Sequence, residues 1–300
     1  MTALISVPSE VDGLDIIASV SGGKDSTALI LALREAEIPA RYVFADTRWE
    51  ASETYDYIDL LRARLSITID VVGVDGGMPA RVRHRAGFPG RKQRWCTREL
   101  KIEPLRAYHD TIEAATGVET VSAQGIRAAE SSRRAKAVGL EDVPERDATG
   151  HRAWGRWMWR PLLAWTIEDV LRIHHRHGVP VNPLYRKGHS RVGCYPCIYA
   201  SKEEIALLLP TRIAEIRALE AETTALREER NQETPGRYAV SVATFFQTRV
   251  PGLTMAIDEV ATWARTSHGG RQLSLLAEPP RGGCMRWGIC DAPTEEEATP

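Results

Sequence analysis

The stretch VSGGKDSTALILAL, residues 20–33, decides the fold of this chain. An apolar run of strand length, LDIIASV at residues 14–20, leads into it, and apolar residues at helical spacing follow its two glycines. A glycine turn between a strand and a helix N-terminus presents backbone N–H groups to an anion, most often phosphate. Lys24 adds a positive charge to the turn. The stretch therefore predicts a phosphate-binding loop at the start of an α/β domain.

Strand-like and helix-like segments alternate after this loop. Residues 40–47, 67–75 and 118–126 are strand-like, and helix-like stretches separate them. This alternation predicts right-handed crossovers and a doubly wound parallel sheet, a Rossmann-like α/β fold. In such a sheet the ligand binds at the carboxyl ends of the strands. We therefore expect one site to form from the loops that follow Val20, Ala45, Val74 and Gly125.

The remaining sequence divides the chain into four parts. Residues 1–139 form the predicted nucleotide-binding α/β domain, and residues 140–160 are polar and irregular, which predicts a mobile loop. Residues 161–290 show helical periodicity and predict a helical C-terminal part. Residues 291–300, with three consecutive glutamates, predict a disordered tail.

Charge and hydropathy exclude several classes of protein. The 39 basic and 40 acidic side chains leave a net charge of -1, so no global field indicates a nucleic-acid or membrane partner. No segment approaches the roughly 18 apolar residues that a membrane span needs, and the N-terminus has no basic region followed by an apolar core. We expect a cytoplasmic protein without a membrane partner.

The loop SGGKDS, residues 21–26, is not a Walker A motif. Asp25 follows Gly23-Lys24, and Ala18 stands where that motif requires its first glycine. The loop resembles instead the pyrophosphate loop of the adenine nucleotide alpha-hydrolase superfamily, which includes ATP pyrophosphatases and PAPS reductases. The resemblance implies that six residues contact pyrophosphate and its Mg²⁺: Ser21, Gly22, Gly23, Lys24, Asp25 and Ser26. The alternative is a tight turn with a helix N-cap at Asp25 or Ser26.

Three further segments extend the resemblance to the PAPS reductase family over residues 14–197. They are FADTRWEASETYDYI at residues 44–58, RWCTRELKIEPL at 94–105 and QGIRAAESSRRA at 124–135. By this resemblance Asp46 contacts the ribose, base or magnesium, with Glu50 a weaker candidate, and Gly125 belongs to the nucleotide site.

One feature of the loop departs from the dedicated reductases of that family. Dedicated PAPS and APS reductases carry a degenerate loop, whereas the Gly-Gly-Lys-Asp sequence is intact here. The intact loop favours cleavage of ATP, as in the similar ATP pyrophosphatases of DNA phosphorothioation.

Five cysteines suggest a metal site. Cys194 and Cys197 form a CxxC, and Cys284 and Cys290 form a second pair. Two such pairs can complete a four-sulfur site for zinc or iron–sulfur, and the family resemblance favours a [4Fe–4S] cluster over Zn²⁺. A competing set combines Cys96 with the CxxC and one late cysteine. We favour the two pairs, with Cys96 as a thiol nucleophile or persulfide carrier whose pKa the flanking cations lower.

Two basic segments suggest an anionic partner. ARVRHRAGFPGRKQRW, residues 80–95, and YRKGHSR, residues 185–191, could neutralise nucleic-acid phosphates while their aromatic residues stack on bases. They could equally clamp the phosphates of one nucleotide. Three arginines that follow the fourth strand are further candidates for the acceptor's anion: Arg127, Arg133 and Arg134.

Three histidines do not form a metal site by their spacing. His174, His175 and His177 cannot all face one metal from one helix, so we expect them to pack or lie at the surface.

These features predict an ATP pyrophosphatase that adenylates an acceptor, releasing pyrophosphate, within an iron–sulfur-dependent sulfur transfer. The predicted catalytic residues are Lys24, Asp25, Cys96 and Arg127. A nucleic-acid acceptor and a sulfur donor, such as a cysteine desulfurase, or a reductant are the expected partners. One alternative is a PAPS or APS reductase that releases sulfite, and another is a non-catalytic subunit that senses nucleotide or binds nucleic acid.

Overall fold

The computed structural model describes residues 5–143, 157–246 and 254–266, which contain one six-stranded sheet. Its strands are β1 (Asp15–Val20), β2 (Arg41–Asp46), β3 (Ile69–Gly73), β4 (Thr120–Gln124), β5 (Leu140–Asp142) and β6 (Trp157–Trp159). They lie in the order β3-β2-β1-β4-β6-β5. All neighbouring strands are parallel except β5, which is antiparallel to β6. The doubly wound α/β class predicted from the sequence is confirmed.

The described helices lie between the strands and after them. They are α1 (Lys24–Glu35), α2 (Ser52–Leu65), α3 (Gly77–Arg85), α4 (Trp95–Thr97), α5 (Glu103–Thr116), α6 (Ile167–Arg176), α7 (Lys202–Ala206), α8 (Pro210–Glu233) and α9 (Ile257–Ala264). A wider π turn, Arg98–Ile102, joins α4 to α5. No helix within these described ranges combines the length and apolar character required to cross a bilayer.

Alternation along β1 covers both faces of the sheet. Ile16 and Val20 belong to the large core that also contains the buried residues of α1, α2 and α6. Ile17, on the opposite face, packs in a second group with Leu105 of α5. Because side chains alternate along a strand, one short apolar run can bury residues against helices on both sides.

The strand order creates a crevice beside β1. From β1 the chain moves outward to β2 and β3, and it then returns to β4 on the other side of β1. Ser19 of β1 lies opposite Gln124 of β4, so the loops that follow these two strands start side by side. The loop after β1 therefore sits at the topological switch point, where ligands of open α/β sheets bind.

The α/β unit extends beyond residue 139, which corrects the predicted boundary. The two ends of the segment predicted as a mobile loop, residues 140–160, are the strands β5 and β6. Helix α6 also belongs to the unit, because its Val170 and Ile173 lie in the same core as α1. The strands have three residues each, too few for their alternation to stand out in a polar stretch. Residues 144–156, within the predicted loop, lie outside the described residues.

A second core holds the helical C-terminal part together. Val82 of α3, Ile205 of α7, Ile216 of α8 and Val260 of α9 are buried in it. The buried carboxylate of Glu220 on α8 accepts hydrogen bonds from two backbone N–H groups, those of Phe245 at 2.8 Å and Ile257 at 3.0 Å. The predicted tail, residues 291–300, lies outside the described part of the chain.

Candidate active site

The side chain of Ser26 closes the loop between β1 and α1. Its Oγ donates a hydrogen bond to the carbonyl oxygen of Gly23 at 3.0 Å and accepts one from the backbone N–H of Ser21 at 3.2 Å. The Ser21 Oγ lies 3.2 Å from the same atom. Ser21 and Ser26, both predicted to contact pyrophosphate, thus also shape the turn.

Gly22 is required by its backbone conformation and by its neighbour on α2. Its φ is +71°, in the left-handed region that side chains disfavour. A Cβ atom at this position would lie 2.9 Å from Cγ2 of Thr54. The glycine therefore allows the loop to turn tightly against α2.

Helix α1 begins at the loop itself. Gly23 is its N-cap residue and no side chain caps it, so the alternative of a cap at Asp25 or Ser26 is wrong. Because the N–H of Thr27 is the first to bond back into the helix, to the Gly23 carbonyl at 3.0 Å, the N–H groups before it lie at the helix's positive end. This is the arrangement that the sequence predicted for binding phosphate.

Three of the predicted catalytic residues lie together beside this helix end. Lys24, Asp25 and Arg127 expose only 5%, 8% and 6% of their surfaces. The carboxylate of Asp25 accepts from Lys24 Nζ at 2.9 Å and from Arg127 Nε at 2.5 Å. Burial by itself would raise the pKa of Asp25, but the charges of Lys24 and Arg127 hold it below its usual value. The carboxylate is therefore ionised at neutral pH.

Gly125 brings the loop after β4 against the start of α1. A Cβ atom there would lie 2.6 Å from the backbone carbonyl oxygen of Asp25, which is closer than such atoms approach. Without a side chain at residue 125, the two loops touch through their backbones and Arg127 reaches Asp25.

Three side chains that the sequence did not indicate hold the loop from behind. Asn182 Nδ2 donates to the carbonyl oxygen of Gly22 at 3.1 Å, and the backbone N–H of Lys24 donates to the Tyr185 hydroxyl at 3.2 Å. His174 Nε2 lies 2.8 Å from the carbonyl oxygen of Lys24. These contacts fix the backbone on both sides of the predicted phosphate cradle.

These contacts were missed because they join residues 150 to 161 positions apart in the chain. Only the Asn-Pro pair at residues 182 and 183 signals a turn locally, which the structure shows as a 3₁₀ turn, Pro183–Tyr185. Of the three neighbouring histidines, His174 is buried against the loop, His175 is exposed and His177 pairs with Glu35.

Asp46 ends β2 and organises the turn that follows. Its Oδ1 accepts from the backbone N–H of Arg48 at 2.7 Å and from the Tyr55 hydroxyl at 2.8 Å. Because β1 and β2 are parallel neighbours, Asp46 lies at the same edge of the sheet as the phosphate loop. Its contact with a nucleotide stays a prediction.

The turn after β2 also holds the CxxC loop. Glu50 and Cys194 form a backbone bridge, and the N–H of Tyr195 donates to the Trp49 carbonyl at 2.7 Å. The indole N–H of Trp49 donates in turn to the Pro196 carbonyl at 3.2 Å. The buried Glu50 carboxylate accepts from Thr47 Oγ1 at 2.7 Å. Hydrogen bonds therefore join the carboxyl edge of the sheet to the CxxC loop.

Cys96 lies with Cys194 and Cys197, and not with Lys24 and Asp25. All three cysteines pack against the second core. Burial, followed by the neighbouring Cys194, raises the pKa of Cys96. The flanking Arg94 lowers this pKa, but burial and Cys194 have larger effects, so the predicted fall in the pKa is wrong.

A lysine lies beside the two cysteines of the CxxC. Lys101 lies close enough to Cys194 and Cys197 for their charges, with that of Cys194 the largest, to raise its pKa. A cation beside thiolates would compensate the negative charge of a sulfur-ligated metal or cluster. In the described part of the chain no three His, Cys, Asp or Glu side chains are arranged to hold a metal ion. Two of the predicted ligands, Cys284 and Cys290, lie outside the described residues.

The model of the phosphoadenosine phosphosulfate reductase domain family matches residues 15–200. An uncharacterized 37.8 kDa protein in the gpa 5′ region of Escherichia phage 186 is 31% identical over 321 residues, which cover 87% of this chain and 91% of that protein. The adenosine 5′-phosphosulfate reductase of Mesorhizobium japonicum is 29% identical over 187 residues, 61% of this chain and 66% of that enzyme.

A solved structure resembles the fold more distantly. The phosphoadenylyl-sulfate reductase of Candida auris, crystallised with phosphate, superposes with a TM-score of 0.47 and 17% identity. The match covers 63% of this chain and 85% of that one.

Proposed function

This chain belongs to the phosphoadenosine phosphosulfate reductase domain family, and we propose that it is an ATP pyrophosphatase that adenylates an acceptor. One observation carries the proposal: Lys24, Asp25 and Arg127 are buried together at the N-terminus of α1, on a complete pyrophosphate loop. A reductase that receives an activated nucleotide has no need to hold a leaving pyrophosphate. An enzyme that cleaves ATP does need such a loop, because it must hold the pyrophosphate that leaves.

The proposed reaction begins with attack of an acceptor oxygen on the alpha-phosphorus of ATP. A new P–O bond forms to the acceptor, the bond from the alpha-phosphorus to the bridging oxygen breaks, and pyrophosphate leaves with the bond's electron pair. Lys24 and the N–H groups at the start of α1 stabilise the negative charge of the leaving group. Mg²⁺, held by the phosphates and the Asp25 carboxylate, would neutralise further charge when bound.

Arg127 holds Asp25 in place for this task. Its guanidinium is buried and bonded to Asp25 Oδ1, so the carboxylate stays ionised and points in one direction. Asn182, Tyr185 and His174 keep the loop backbone fixed, which preserves the spacing of its N–H groups. These residues bind and orient the nucleotide in the proposal.

The thiols supply the second half of the proposed chemistry. After adenylation, the terminal sulfur of a persulfide attacks the adenylated carbon of the acceptor, and a carbon–sulfur bond forms as the carbon–oxygen bond breaks and AMP leaves with its electron pair. A second thiol then attacks the inner sulfur, which releases the thiolated acceptor and forms a disulfide that a thiol reductant must reduce. The proposed ligand set is Cys96, Cys194 and Cys197 with one late cysteine: the three pack against the same core near one another, although they are not arranged to hold a metal ion in the described part of the chain. A [4Fe–4S] cluster held there would supply or hold the sulfur, and a cysteine desulfurase is the class of partner that would deliver it.

Conversion of alpha-labelled ATP to AMP tests the proposal. Anaerobically purified protein with Mg²⁺ should form AMP and pyrophosphate. The rate of AMP formation should be about 100-fold lower in Lys24→Ala and in Asp25→Ala. The exposed Lys136 gives a matched control, Lys136→Ala, which should behave as wild type. Adding single-stranded DNA, tRNA or a small sulfur donor should stimulate AMP formation in the arm that contains the acceptor.

A second function is favoured by the names of several relatives. The reductases of Mesorhizobium japonicum and Oceanobacillus iheyensis share 29% and 27% identity with this chain. A reductase would release sulfite from an activated sulfate nucleotide with a thiol reductant and would need no ATP. Sulfite release without AMP formation from ATP would therefore overturn the proposal in favour of a reductase.

A further inference from the structure

A basic surface lies on the loop that precedes α4, next to the three thiols of Cys96, Cys194 and Cys197, which we call the thiol group. We define the basic tip as Arg91, Lys92 and Arg94, three exposed residues in one turn of chain. None of the three forms an ion pair with a carboxylate in the described part of the chain. Arg94 donates to the Thr97 hydroxyl at 3.1 Å. The tip thus carries uncompensated positive charge, although the whole chain has a net charge of -1.

A buried carboxylate gathers three more arginines behind the tip. Glu99 is 5% exposed and lies 3.8 Å from Arg81 Nε and 3.1 Å from Arg98 Nη2, and it also binds Arg85. The side chains of these arginines are 32%, 42% and 38% exposed, respectively. Arg98 also pairs with Glu103 at 3.5 Å. Two carboxylates thus face three arginines, so this cluster keeps an excess of one positive charge.

Tyr199 joins the tip to the CxxC. Its ring is 38% exposed, and the guanidinium carbons of Arg91 and Arg94 lie 5.6 Å and 5.2 Å from the ring centroid. Its hydroxyl donates to the carbonyl oxygen of Arg91 at 3.0 Å. Its backbone N–H lies 3.5 Å from Cys197 Sγ. The ring therefore orders two arginines of the tip within two residues of a cysteine of the thiol group.

Four of the other arginines and lysines expected to meet an acceptor are paired with carboxylates, whereas Arg133 and Arg186 are exposed. Arg127 is bonded to Asp25, and Arg134 forms an ion pair with Glu130. In the second basic segment, Lys187 pairs with Glu53 at 2.5 Å and Arg191 pairs with Glu204 at 3.4 Å. Carboxylates compensate these charges, whereas those of the tip remain available for an anionic partner.

We propose that the basic tip, Tyr199 and the arginines around Glu99 bind a single-stranded nucleic acid and deliver it to the thiol group. The inference rests on the proposed function, because it names the class of acceptor that the site would modify. The cations contact backbone phosphates, and the Tyr199 ring with its flanking guanidinium planes stacks on unpaired bases. A duplex, whose bases are already stacked on each other, offers this surface only its phosphates.

Direct binding measurements test the inference without any need for turnover. Fluorescence anisotropy with labelled single-stranded DNA and RNA of equal length, and with the matching duplex, gives affinities for the full chain in the absence of ATP. The triple variant Arg91→Ala, Lys92→Ala, Arg94→Ala should bind single strands at least tenfold more weakly. Since each cation contributes about 0.7 to the slope of log K against log salt, its slope should fall by about 2.

A triple variant with the same loss of charge is the matched control. Lys136→Ala, Arg172→Ala and Arg217→Ala remove three exposed cations from elsewhere on the surface, and single-strand affinity should change by less than threefold. Tyr199→Ala should weaken binding while Tyr199→Phe retains it, because stacking needs the ring and not the hydroxyl. An unchanged affinity in the tip variant, equal losses in both triples, or equal binding of duplex and single strand would overturn the inference.

The two proposals fail in different measurements. If wild type forms no AMP but binds single strands through the tip, the proposed adenylation is wrong and the binding surface stands. If wild type forms AMP but the tip variant binds strands as tightly as wild type does, the surface is wrong and the pyrophosphatase stands.

Discussion

Arg127, just after β4, donates from its Nε to Oδ1 of Asp25 in the first turn of α1, at 2.5 Å and with both side chains buried. The contact crosses the switch point of the sheet, where the loops after β1 and β4 meet. An arginine bonded to a buried carboxylate orients it and keeps it ionised. The geometry assigns Arg127 to positioning Asp25 and, through it, to the predicted nucleotide site.

Removing this arginine should damage both folding and activity. Arg127→Ala leaves the Asp25 carboxylate buried with one partner fewer, and breaking a buried pair in this way destabilises by about 3–5 kcal/mol. AMP formation should fall by about 100-fold or more. Arg172→Ala, at an exposed position on α6, is the control, and both variants are compared by urea unfolding and by AMP formation. An Arg127→Ala enzyme with wild-type turnover would contradict the assigned role.

Tyr185→Phe tests the support of the loop from behind. The change removes the acceptor of the Lys24 backbone N–H, and an unsatisfied buried N–H costs about 1–3 kcal/mol. The affinity for ATP should weaken by about tenfold or more, as measured by calorimetric titration. Tyr42→Phe is a suitable control, because Tyr42 lies at the far end of β2 and its hydroxyl has no hydrogen bond within the described residues. Equal ATP affinity in both variants would show that Tyr185 does not support the loop.

Gly125→Ala tests the close approach of the two loops. The added methyl group would lie 2.6 Å from the Asp25 carbonyl oxygen, so the backbone must shift. We expect a loss of about 1–3 kcal/mol in unfolding free energy and a loss of nucleotide binding. Gly139→Ala introduces the same methyl group where nothing lies within 4 Å, and it should leave ATP affinity unchanged. ATP titration of both variants decides the matter, and tight binding by Gly125→Ala would contradict the geometry.

His109, a buried residue of α5, should make the stability of the fold depend on pH. Burial lowers the pKa of His109 from its ordinary 6.5 to about 4. The unfolded chain therefore takes up a proton as pH falls through 6.5 while the folded chain does not, so acid destabilises the fold until about pH 4. Between pH 7 and pH 5 this loss is about 2 kcal/mol from His109 alone.

Urea unfolding of His109→Gln at these two pH values isolates this contribution. The variant should lose about 2 kcal/mol less than wild type between pH 7 and pH 5. His84→Gln, at an exposed site, should keep the full pH dependence of wild type. If His109→Gln shows the same pH dependence as wild type, His109 is not the group responsible.

The position of Cys96 predicts which cysteines hold a cluster. Because Cys96 lies with Cys194 and Cys197, Cys96→Ser should lose iron and visible absorbance as fully as Cys194→Ser does. The set formed only by the two cysteine pairs predicts full iron content in Cys96→Ser. Iron analysis after anaerobic purification distinguishes the two sets, and zinc in place of iron would exclude a cluster in both.

The sequence predicted the fold because its signals were local. Glycines after an apolar run marked the loop at Gly22 and Gly23, and β1 began one residue later than expected. The parallel topology then implied that the loops carrying Asp25 and Arg127 would form one site, but not that these two residues would pair. Periodicity and turn chemistry are sufficient for such statements, since each depends on a few adjacent residues.

What the sequence could not predict depended on distant contacts or short elements. The strands β5 and β6 have only three residues each, so their alternation is too brief to recognise. Asn182 and Tyr185 reach the loop across 160 and 161 residues, respectively. The pKa of Cys96 was wrongly expected to fall, because burial and the neighbouring Cys194, both set by the fold, outweigh the charge of Arg94. Side-chain direction and pairing are set by packing, which composition does not reveal.

The most direct test of the central claim compares wild type with Lys24→Ala in a single assay of alpha-labelled ATP. With Mg²⁺ and a single-stranded acceptor under anaerobic conditions, wild type should release AMP and an equal amount of pyrophosphate, and Lys24→Ala should release neither above background. The absence of AMP from the wild-type reaction, or AMP formation at an undiminished rate by Lys24→Ala, would contradict the claim that this loop cleaves ATP.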